Sequence, residues 1–298
     1  LGDDICSVEE KHRLLGRAWA YHGNALRVAS ELRRAETAIQ NSRQCLDKSG
    51  GSDLDRALWC RFGGLVSRAR RDFVKADHLQ HRAVSLYLRH GESRIASQVM
   101  SDQGLALLYQ GKPQAAMTRL EQALALLGSQ GSQREVSTIR YNLAFCLAEI
   151  GENQRALDLV AGVRASLQEA GDFLSLVRLR WLEGRILFAL GRDWPAEEAL
   201  VEARDAFIEE SIGYDTALVC LDLALLYARQ HRTREMRLLA ERMLPIFQSR
   251  DVHREAIAAL ILFRDAAVAE TATLALVQQI GRYLQRARHD PGLRFEMS

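Results

Sequence analysis

Small and apolar residues recur along the chain at intervals of 40 or 41 positions. One series is formed by Ala35, Ala76, Ala116, Ala156, Ala196 and Met236, and a second by Gly23, Gly64, Gly104, Ala144, Gly184 and Ala224. Within one interval, Ala116, Leu120 and Ala123 follow each other at spacings of four and three, which is the period of one helix face. Small residues let two helix backbones approach closely, so the pattern predicts a repeated pair of packed helices.

A turn position lies between the two series and keeps the same interval. Its members are Ser30, Arg71, Gly111, Gly151, Gly191 and His231. After Gly111 comes Lys112-Pro113, and proline suits the first turn of a helix because its missing N–H has no partner there. Each repeat is therefore predicted to be a helix, a tight turn and a second helix. Asp53 is expected to cap the first helix of the second repeat.

The repeats divide the chain into six helix pairs and a terminal pair. Their predicted bounds are 8–46, 53–90, 92–127, 132–170, 173–211 and 214–250, followed by a capping pair at 253–288. In the capping pair, we expect the second helix to begin near Thr271 and the tail 293–295 to fold back on it. No run alternates with period two, so no strand is predicted. Because a single pair cannot bury its apolar face, we expect neighbouring pairs to stack into one domain over 1–298.

The repeats resemble the tetratricopeptide repeat, a helix–turn–helix unit. Gly104, Gly111, Ala116, Leu120 and Ala123 carry the resemblance most clearly. The interval of 40 is longer than the usual period of about 34, and in this the chain is similar to tetratricopeptide regions of bacterial transcription regulators and peptide-sensing regulators. The resemblance implies an all-α fold, a right-handed solenoid of helix–turn–helix repeats with a C-terminal capping pair. It implies no particular ligand.

Composition and charge limit the kinds of partner that this chain is expected to bind. The chain has 298 residues, of which 48% are hydrophobic and 26% are charged, and its formal net charge is +2. Such a charge gives little attraction for nucleic acid or an anionic membrane, and no apolar run reaches transmembrane length. Five cysteines without a CxxC pair favour reduced, mostly buried thiols in a cytoplasmic protein. Because the sequence begins at Leu1 rather than Met, we expect a segment to precede it.

Motifs for catalysis are missing from the sequence. It contains no GxSxG, no HExxH, no P-loop and no GxGxxG after a strand. We therefore expect no enzymatic activity and no cofactor. His78 and His81 are three positions apart, so both rings share a helix face, but no third and fourth ligand accompany them. A metal site is not predicted.

The resemblance implies that the first helices line a concave, ligand-binding face. The residues expected to bind a ligand there are Arg61, Arg68, Asp102, Tyr141, Asn142, Phe145, Arg178, Trp181 and Arg185. An asparagine amide can donate to and accept from a peptide backbone, and arginine can hold a carboxylate in bidentate geometry. Aromatic rings offer broad apolar contact. The alternatives are packing between repeats for the rings, and solvated or ion-paired surface positions for the arginines.

These features predict a non-enzymatic module that binds a peptide or protein segment, as the sensor or scaffold part of a larger bacterial regulator. Neither nucleic acid nor a membrane is an expected partner. Two alternatives remain open. The solenoid could self-assemble into a homo-oligomer, or it could be the regulatory segment of an enzyme whose catalytic domain precedes residue 1.

Overall fold

The computed structural model describes residues 7–29, 31–70, 72–243, 254–287 and 293–295. These residues form fourteen α-helices and one short 3-10 helix, and they contain no strand. The helices are α1 Val8–Val28, α2 Leu32–Lys48, α3 Asp53–Ala69, α4 Phe73–Arg89, α5 Ser93–Tyr109, α6 Pro113–Leu127, α7 Gln133–Glu149, α8 Asn153–Glu169, α9 Phe173–Ala189, α10 Asp193–Glu209, α11 Gly213–Arg229, α12 Thr233–Glu241, α13 Arg254–Val268 and α14 Leu274–Ala287. The predicted all-α solenoid of helix–turn–helix repeats is confirmed.

The first six predicted repeats each correspond to two consecutive helices separated by three residues. The second repeat, predicted at 53–90, is α3 and α4, which together run from 53 to 89. The third, predicted at 92–127, is α5 and α6, from 93 to 127. The predicted end of the sixth repeat at 250 lies outside the described residues.

Close packing divides the chain into two compact units, the N-terminal unit of residues 1–139 and the C-terminal unit of residues 140–298. In the N-terminal unit, α1 packs on α2, α3 on α4, and α5 on α6. In the C-terminal unit, α9 packs on α10, α11 on α12 and α14, and α13 on α12 and α14. The prediction of one domain over residues 1–298 stays a prediction.

The small-residue series mark the places where the two helices of a pair cross. At four glycines of first helices, a Cβ atom would lie 3.3 Å from the backbone oxygen of an alanine in the second helix. The pairs are Gly23 and Ala35, Gly64 and Ala76, Gly104 and Ala116, and Gly184 and Ala196. Ala144 and Ala224, at the same place in the fourth and sixth repeats, are fully buried. The residues that define the repeat are thus those that allow close contact.

Replacing Gly104 with valine is expected to lower the free energy of unfolding by about 2 kcal/mol, because overpacking a filled core forces its neighbours to move. A Cβ atom at Gly104 would lie 2.6 Å from Cγ of Leu120, which is fully buried. The matched control is Gly162→Val, since Gly162 lies on α8 and a Cβ atom there would meet nothing within 4 Å. Urea unfolding measures both, and equal stabilities of the two variants would contradict the crossing described above.

The turn position has a left-handed backbone, with φ of 71° at Gly111 and 56° at His231. Glycine suits this conformation because it has no Cβ atom to clash with the following carbonyl. At the His231 turn, the N–H of Arg232 donates to the oxygen of Tyr227 and closes the end of α11. The two other predicted turn residues without a glycine, Ser30 and Arg71, lie outside the described residues.

The predicted cap of α3 and the predicted start of the last helix are both wrong. Ser52, rather than Asp53, caps α3, because its Oγ accepts from the N–H of Asp55 at 3.2 Å and Asp55 Oδ2 accepts from the N–H of Ser52 at 3.1 Å. The helix predicted to begin near Thr271 begins at Leu274, because Thr273 Oγ1 accepts from the N–H of Leu276 at 3.2 Å. In both cases the neighbouring hydroxyl residue forms the cap.

The predicted return of the tail onto the capping pair is confirmed for residues 293–295. The hydroxyl of Tyr283 donates to the oxygen of Leu293 at 3.0 Å, and the rings of Tyr283 and Phe295 meet edge to face with centroids 5.1 Å apart. Leu293 and Phe295 pack on the core of the C-terminal unit. The tail thereby covers apolar surface at the end of the last helix.

The described cysteines are free thiols, as the sequence predicts. Cys60, Cys146 and Cys220 are buried and Cys45 is half-buried. Burial raises the pKa of Cys60 to about 11, so this thiol is protonated and unreactive at neutral pH. Cys6 lies outside the described residues. None of the helices in the described ranges combines the length and the apolar character needed to cross a membrane.

Candidate functional site

A row of side-chain hydrogen bonds connects consecutive first helices. Each bond joins residues 37 or 38 positions apart, which is close to one repeat. The bonds of this first-helix row run from Arg17 to Asp55, Arg61 to Gln98 and Gln98 to Glu135 in the N-terminal unit, and from Arg178 to Asp215 in the C-terminal unit. Arg61 and Arg178, two predicted ligand residues, therefore already contact side chains of the next repeat.

Glu135 receives hydrogen bonds from three other side chains. Arg94 Nε donates at 2.9 Å, Gln98 Nε2 at 2.6 Å and Ser132 Oγ at 2.7 Å. Burial alone would raise the pKa of Glu135, but the bonds from Arg94, Ser132 and Gln98 outweigh it and lower the pKa to about 2. The carboxylate is therefore ionised in the folded protein, and it links the side chains of Arg94, Gln98 and Ser132 at this end of the row.

Replacing Glu135 with glutamine is expected to lower the free energy of unfolding by about 1 kcal/mol at neutral pH, since exposed Arg94 limits the value of the ion pair. Because the pKa is lower in the folded state, the carboxylate stabilises the fold above its unfolded value of about 4.3 and ceases to do so as pH falls through about 2. The deficit of the variant should therefore shrink below about pH 4. Urea unfolding of both proteins along a pH series measures it, and a constant deficit would contradict the assignment.

Three arginines and one aspartate form a cluster on the first helices of the N-terminal unit. Arg27 lies on α1, Arg61 and Arg68 lie on α3, and Asp102 lies on α5. All four are half-buried, and we call this group the arginine cluster. Arg68 Nη1 donates to the backbone oxygen of Asp102 at 2.9 Å. The structure thus brings together all three predicted ligand residues of this unit, and it adds Arg27.

The arginine cluster has more positive than negative charge. Burial raises the pKa of Asp102, although Arg68, Arg61 and Arg27 lower it in part. Burial and the neighbouring charge of Arg68 lower the pKa of Arg27. In addition, Nε of Arg61 is buried without a hydrogen-bond partner among the described residues. Three guanidinium groups in a cluster with one carboxylate, and one donor unpaired, suit an added anionic group.

Three predicted ligand residues of the C-terminal unit, Phe145, Trp181 and Arg185, lie in a second cluster. The polar groups of Trp181 and Arg185 are already paired with two carboxylates of the same unit. Arg185 Nη2 donates to Glu149 Oε1 at 2.9 Å, and its guanidinium carbon lies 5.1 Å from the ring centroid of Phe145. Trp181 Nε1 donates to Asp222 Oδ2 at 2.6 Å, and Arg185 Nε lies 3.8 Å from the same oxygen. Burial alone would lower the pKa of Arg185. The negative charges of Asp222 and Glu149 outweigh this effect, so the pKa is raised.

Several predicted ligand residues of the C-terminal unit are less accessible to solvent than the sequence suggests. Trp181 is 8% exposed and meets the ring of Phe207 edge to face, so it packs in the core. Asn142 is 7% exposed, and Arg178 donates to the fully buried carboxylate of Asp215 at 3.3 Å. Tyr141 is half-buried near Arg185. Ligand binding by these residues stays a prediction.

Sequence reasoning missed the side chains that complete both clusters. Gln98, the acceptor of Arg61, precedes Asp102 by one helical turn, and Glu149, the acceptor of Arg185, follows Phe145 by one turn. Residues four apart share a helix face, so this spacing was the available signal. Of the two histidines that share a helix face, His81 has its Nδ1 2.9 Å from the backbone oxygen of Asp77. The described residues contain no group of three metal-ligating side chains.

No protein-family model and no curated protein sequence matches this chain. Solved structures of similar fold include a Rap protein complexed with Competence and Sporulation Factor, with a TM-score of 0.66 and 12% identity over 93% of this chain and 88% of that one. The apo form of RapI gives a TM-score of 0.65 and 14% identity over 90% of this chain and 74% of that one.

A third similar structure consists of nearly identical TPR-like repeats from a putative kinesin light chain of Podosopora anserina. Its TM-score is 0.55, with 17% identity over 67% of this chain and 98% of that one. The Rap proteins match most of this chain, and the kinesin light chain repeats match two thirds of it. The chain therefore has the tetratricopeptide-like fold.

Proposed function

We propose that this chain is a non-enzymatic protein-interaction module whose N-terminal unit binds an acidic peptide or protein segment at the arginine cluster. The observation that carries the proposal is the surplus of guanidinium groups there: Arg27, Arg61 and Arg68 all act electrostatically on the one carboxylate of the cluster, Asp102. A carboxylate from a partner would balance the charge and could accept from the unpaired Nε of Arg61. Guanidinium groups bind carboxylates through two parallel hydrogen bonds, which gives direction as well as affinity.

The first-helix row supports this proposal by fixing the arginines in place. Arg61 is held by Gln98, which is itself held by Glu135, and Arg68 is held by the backbone of α5. Side chains that are ordered before binding lose less conformational entropy when a ligand arrives. Gln98 and Glu135 therefore order Arg61 for binding without contacting the ligand themselves.

We also propose a role for the module and two classes of partner that it does not bind. The module would act as the sensor or scaffold part of a larger bacterial, cytoplasmic regulator, and it would bind neither nucleic acid nor a membrane. Support comes from its likeness to the Rap protein that was solved with Competence and Sporulation Factor. In the C-terminal unit, Arg178 and Arg185 are paired with carboxylates of their own unit. We therefore place the acidic ligand on the N-terminal unit.

A peptide array tests the proposal. Acidic peptides of about 12 residues would be paired with copies in which every aspartate and glutamate is replaced by its amide, and binding would be measured at low and high salt. We expect some acidic peptides to bind, their amide copies to lose binding, and affinity to fall with salt. Equal binding of both copies would overturn the proposal. Sedimentation over a concentration range separates it from self-assembly, which predicts growth of the particle without peptide.

A further inference from the structure

A pocket of about 290 Å³ lies in the N-terminal unit among helices α3 to α6. The inference drawn from it goes beyond the binding function proposed above. Its walls include Arg68, Asp77, Gln80, His81, Gln103 and Arg119. A volume near 300 Å³ is at the small end of ligand pockets in proteins. All six of these side chains are polar, and Asp77 and His81 are exposed, so the pocket opens at the protein surface.

Two glutamine side chains in the wall are buried and incompletely paired. Gln80 is 3% exposed and Gln103 is 5% exposed. The amide nitrogen Nε2 of each is buried without a hydrogen-bond partner among the described residues. Leaving a buried donor unpaired costs about 1–3 kcal/mol, so such groups need a reason in a native protein.

The repeat pattern makes Gln80 an exception. The corresponding positions in other repeats, at intervals of 40 or 41, are Ile39, Leu120, Val160 and Leu200, which are all apolar and buried. Ile39, Leu120 and Leu200 lie against the glycine of their crossing, as Gln80 does against Gly64. An apolar residue therefore fits this place, and glutamine is not needed for packing.

The orientation of the Gln103 amide is fixed by Arg119. Nε and Nη2 of Arg119 both donate to Gln103 Oε1, at 2.8 and 2.5 Å, so the oxygen faces the guanidinium and the nitrogen faces away. Nη1 of Arg119 donates to Gln122 Oε1 at 3.1 Å. Three of the five guanidinium hydrogens are engaged in these bonds, which leaves further donors on the pocket wall.

The charges around the pocket favour an anion with one negative charge. Arg68 and Arg119 are positive and Asp77 is negative, so the arginine and aspartate side chains of the wall have one positive charge in excess. The excess matches a carboxylate, whereas a phosphate dianion would remain partly uncompensated and would face Asp77. Amide N–H groups and guanidinium groups both donate to carboxylate oxygens.

We propose that this pocket is a binding site for a carboxylate group, held by the amide nitrogens of Gln80 and Gln103 together with the guanidinium of Arg119. The carboxylate could belong to a free small acid or to an acidic side chain of a protein partner. The ligand would supply the acceptors that the two buried amides lack. The site is independent of the arginine cluster except for Arg68, so its test relies on other residues.

The test compares probes on the whole chain by the NMR signals of the side-chain amides and by Tm at constant ionic strength. The probes are acetate, L-glutamate, an acetylated and amidated peptide with one glutamate, and inorganic phosphate. We expect the Gln80 and Gln103 amide signals to shift with the carboxylates and not with phosphate. Response to acetate and L-glutamate identifies a free acid, and response to the peptide alone identifies a partner side chain. Response to phosphate alone, or to no probe, would overturn the proposal.

Substitutions separate binding from folding. Gln80→Leu removes an unpaired donor, so it is expected to raise Tm by about 2–4 °C while abolishing the Tm response to carboxylates. Gln103→Leu also removes the acceptor of two Arg119 donors, so it is expected to lower Tm while abolishing the same response. The exposed Gln114→Leu is the matched control and should change neither. Arg27→Met should leave the pocket response intact while weakening binding at the arginine cluster, so the two sites can fail separately. A retained carboxylate response in both leucine variants would contradict the assignment.

Discussion

Replacing Phe207 with alanine is expected to lower the free energy of unfolding by about 3–5 kcal/mol, the range for removing a large ring from a filled core. Phe207 lies on α10 and is fully buried. Its ring meets Trp181 edge to face with centroids 6.1 Å apart, and both belong to the core of the C-terminal unit. The cavity left by the ring would remove contacts on all sides, because the helices around it are fixed by their crossings.

Phe173→Ala provides the matched control. Phe173 begins α9 and is 51% exposed, so its removal should cost less than about 1 kcal/mol. Urea unfolding of the three proteins, followed by circular dichroism, measures the difference between the two sites. A Phe207 variant as stable as the Phe173 variant would mean that the core of the C-terminal unit is not packed as described.

Replacing both Arg27 and Arg68 with methionine is expected to weaken binding of an acidic peptide by about 100-fold. A hydrogen bond to a charged group contributes about 1.5–3 kcal/mol, and 1.4 kcal/mol corresponds to a factor of ten in affinity. Methionine keeps much of the apolar stem of each half-buried arginine but removes its charge and donors. The loss should be smaller at high salt, because part of it is long-range attraction.

The control for this prediction is Arg155→Met, which removes an exposed arginine on α8 that pairs with Glu152 of the same unit. Affinity should stay within about twofold of the wild type, since such surface pairs contribute little. Fluorescence anisotropy with a labelled peptide from the array measures all affinities. Equal losses in the control and the double variant would indicate a general charge effect rather than a site.

The repeat architecture could be predicted from the sequence because its signal is local and recurs many times. Gly104 and Ala116 stand at fixed distances from the turn in one repeat, and Gly184 and Ala196 repeat the arrangement. Each crossing requires a small residue for steric reasons, so the pattern follows directly from the packing. The cap of α3 and the start of α14 were misplaced because Ser52 and Thr273, rather than Asp53 and Thr271, accept the first helical N–H groups.

The candidate site was less predictable because its chemistry depends on pairs of repeats. The resemblance put Arg61, Arg68 and Asp102 on first helices of adjacent repeats, but neither it nor the spacing could show that Arg185 is paired with Glu149 or that Trp181 is buried. Those contacts join residues 36 or 41 positions apart and depend on how helices stack. Gln80 is detectable from the sequence as the polar member of an apolar series with intervals of 40 or 41.

Photo-crosslinking of a bound acidic peptide shows whether an acidic segment binds at the arginine cluster. The peptide would have one photoreactive residue beside its acidic group, and mass spectrometry would locate the adducts on the whole chain. Binding at the arginine cluster predicts adducts on α1, α3 and α5, near Arg27, Arg68 and Asp102, and their loss in the Arg27 and Arg68 double variant. Adducts confined to α2, α4 and α6, or unchanged adducts in the double variant, would contradict it.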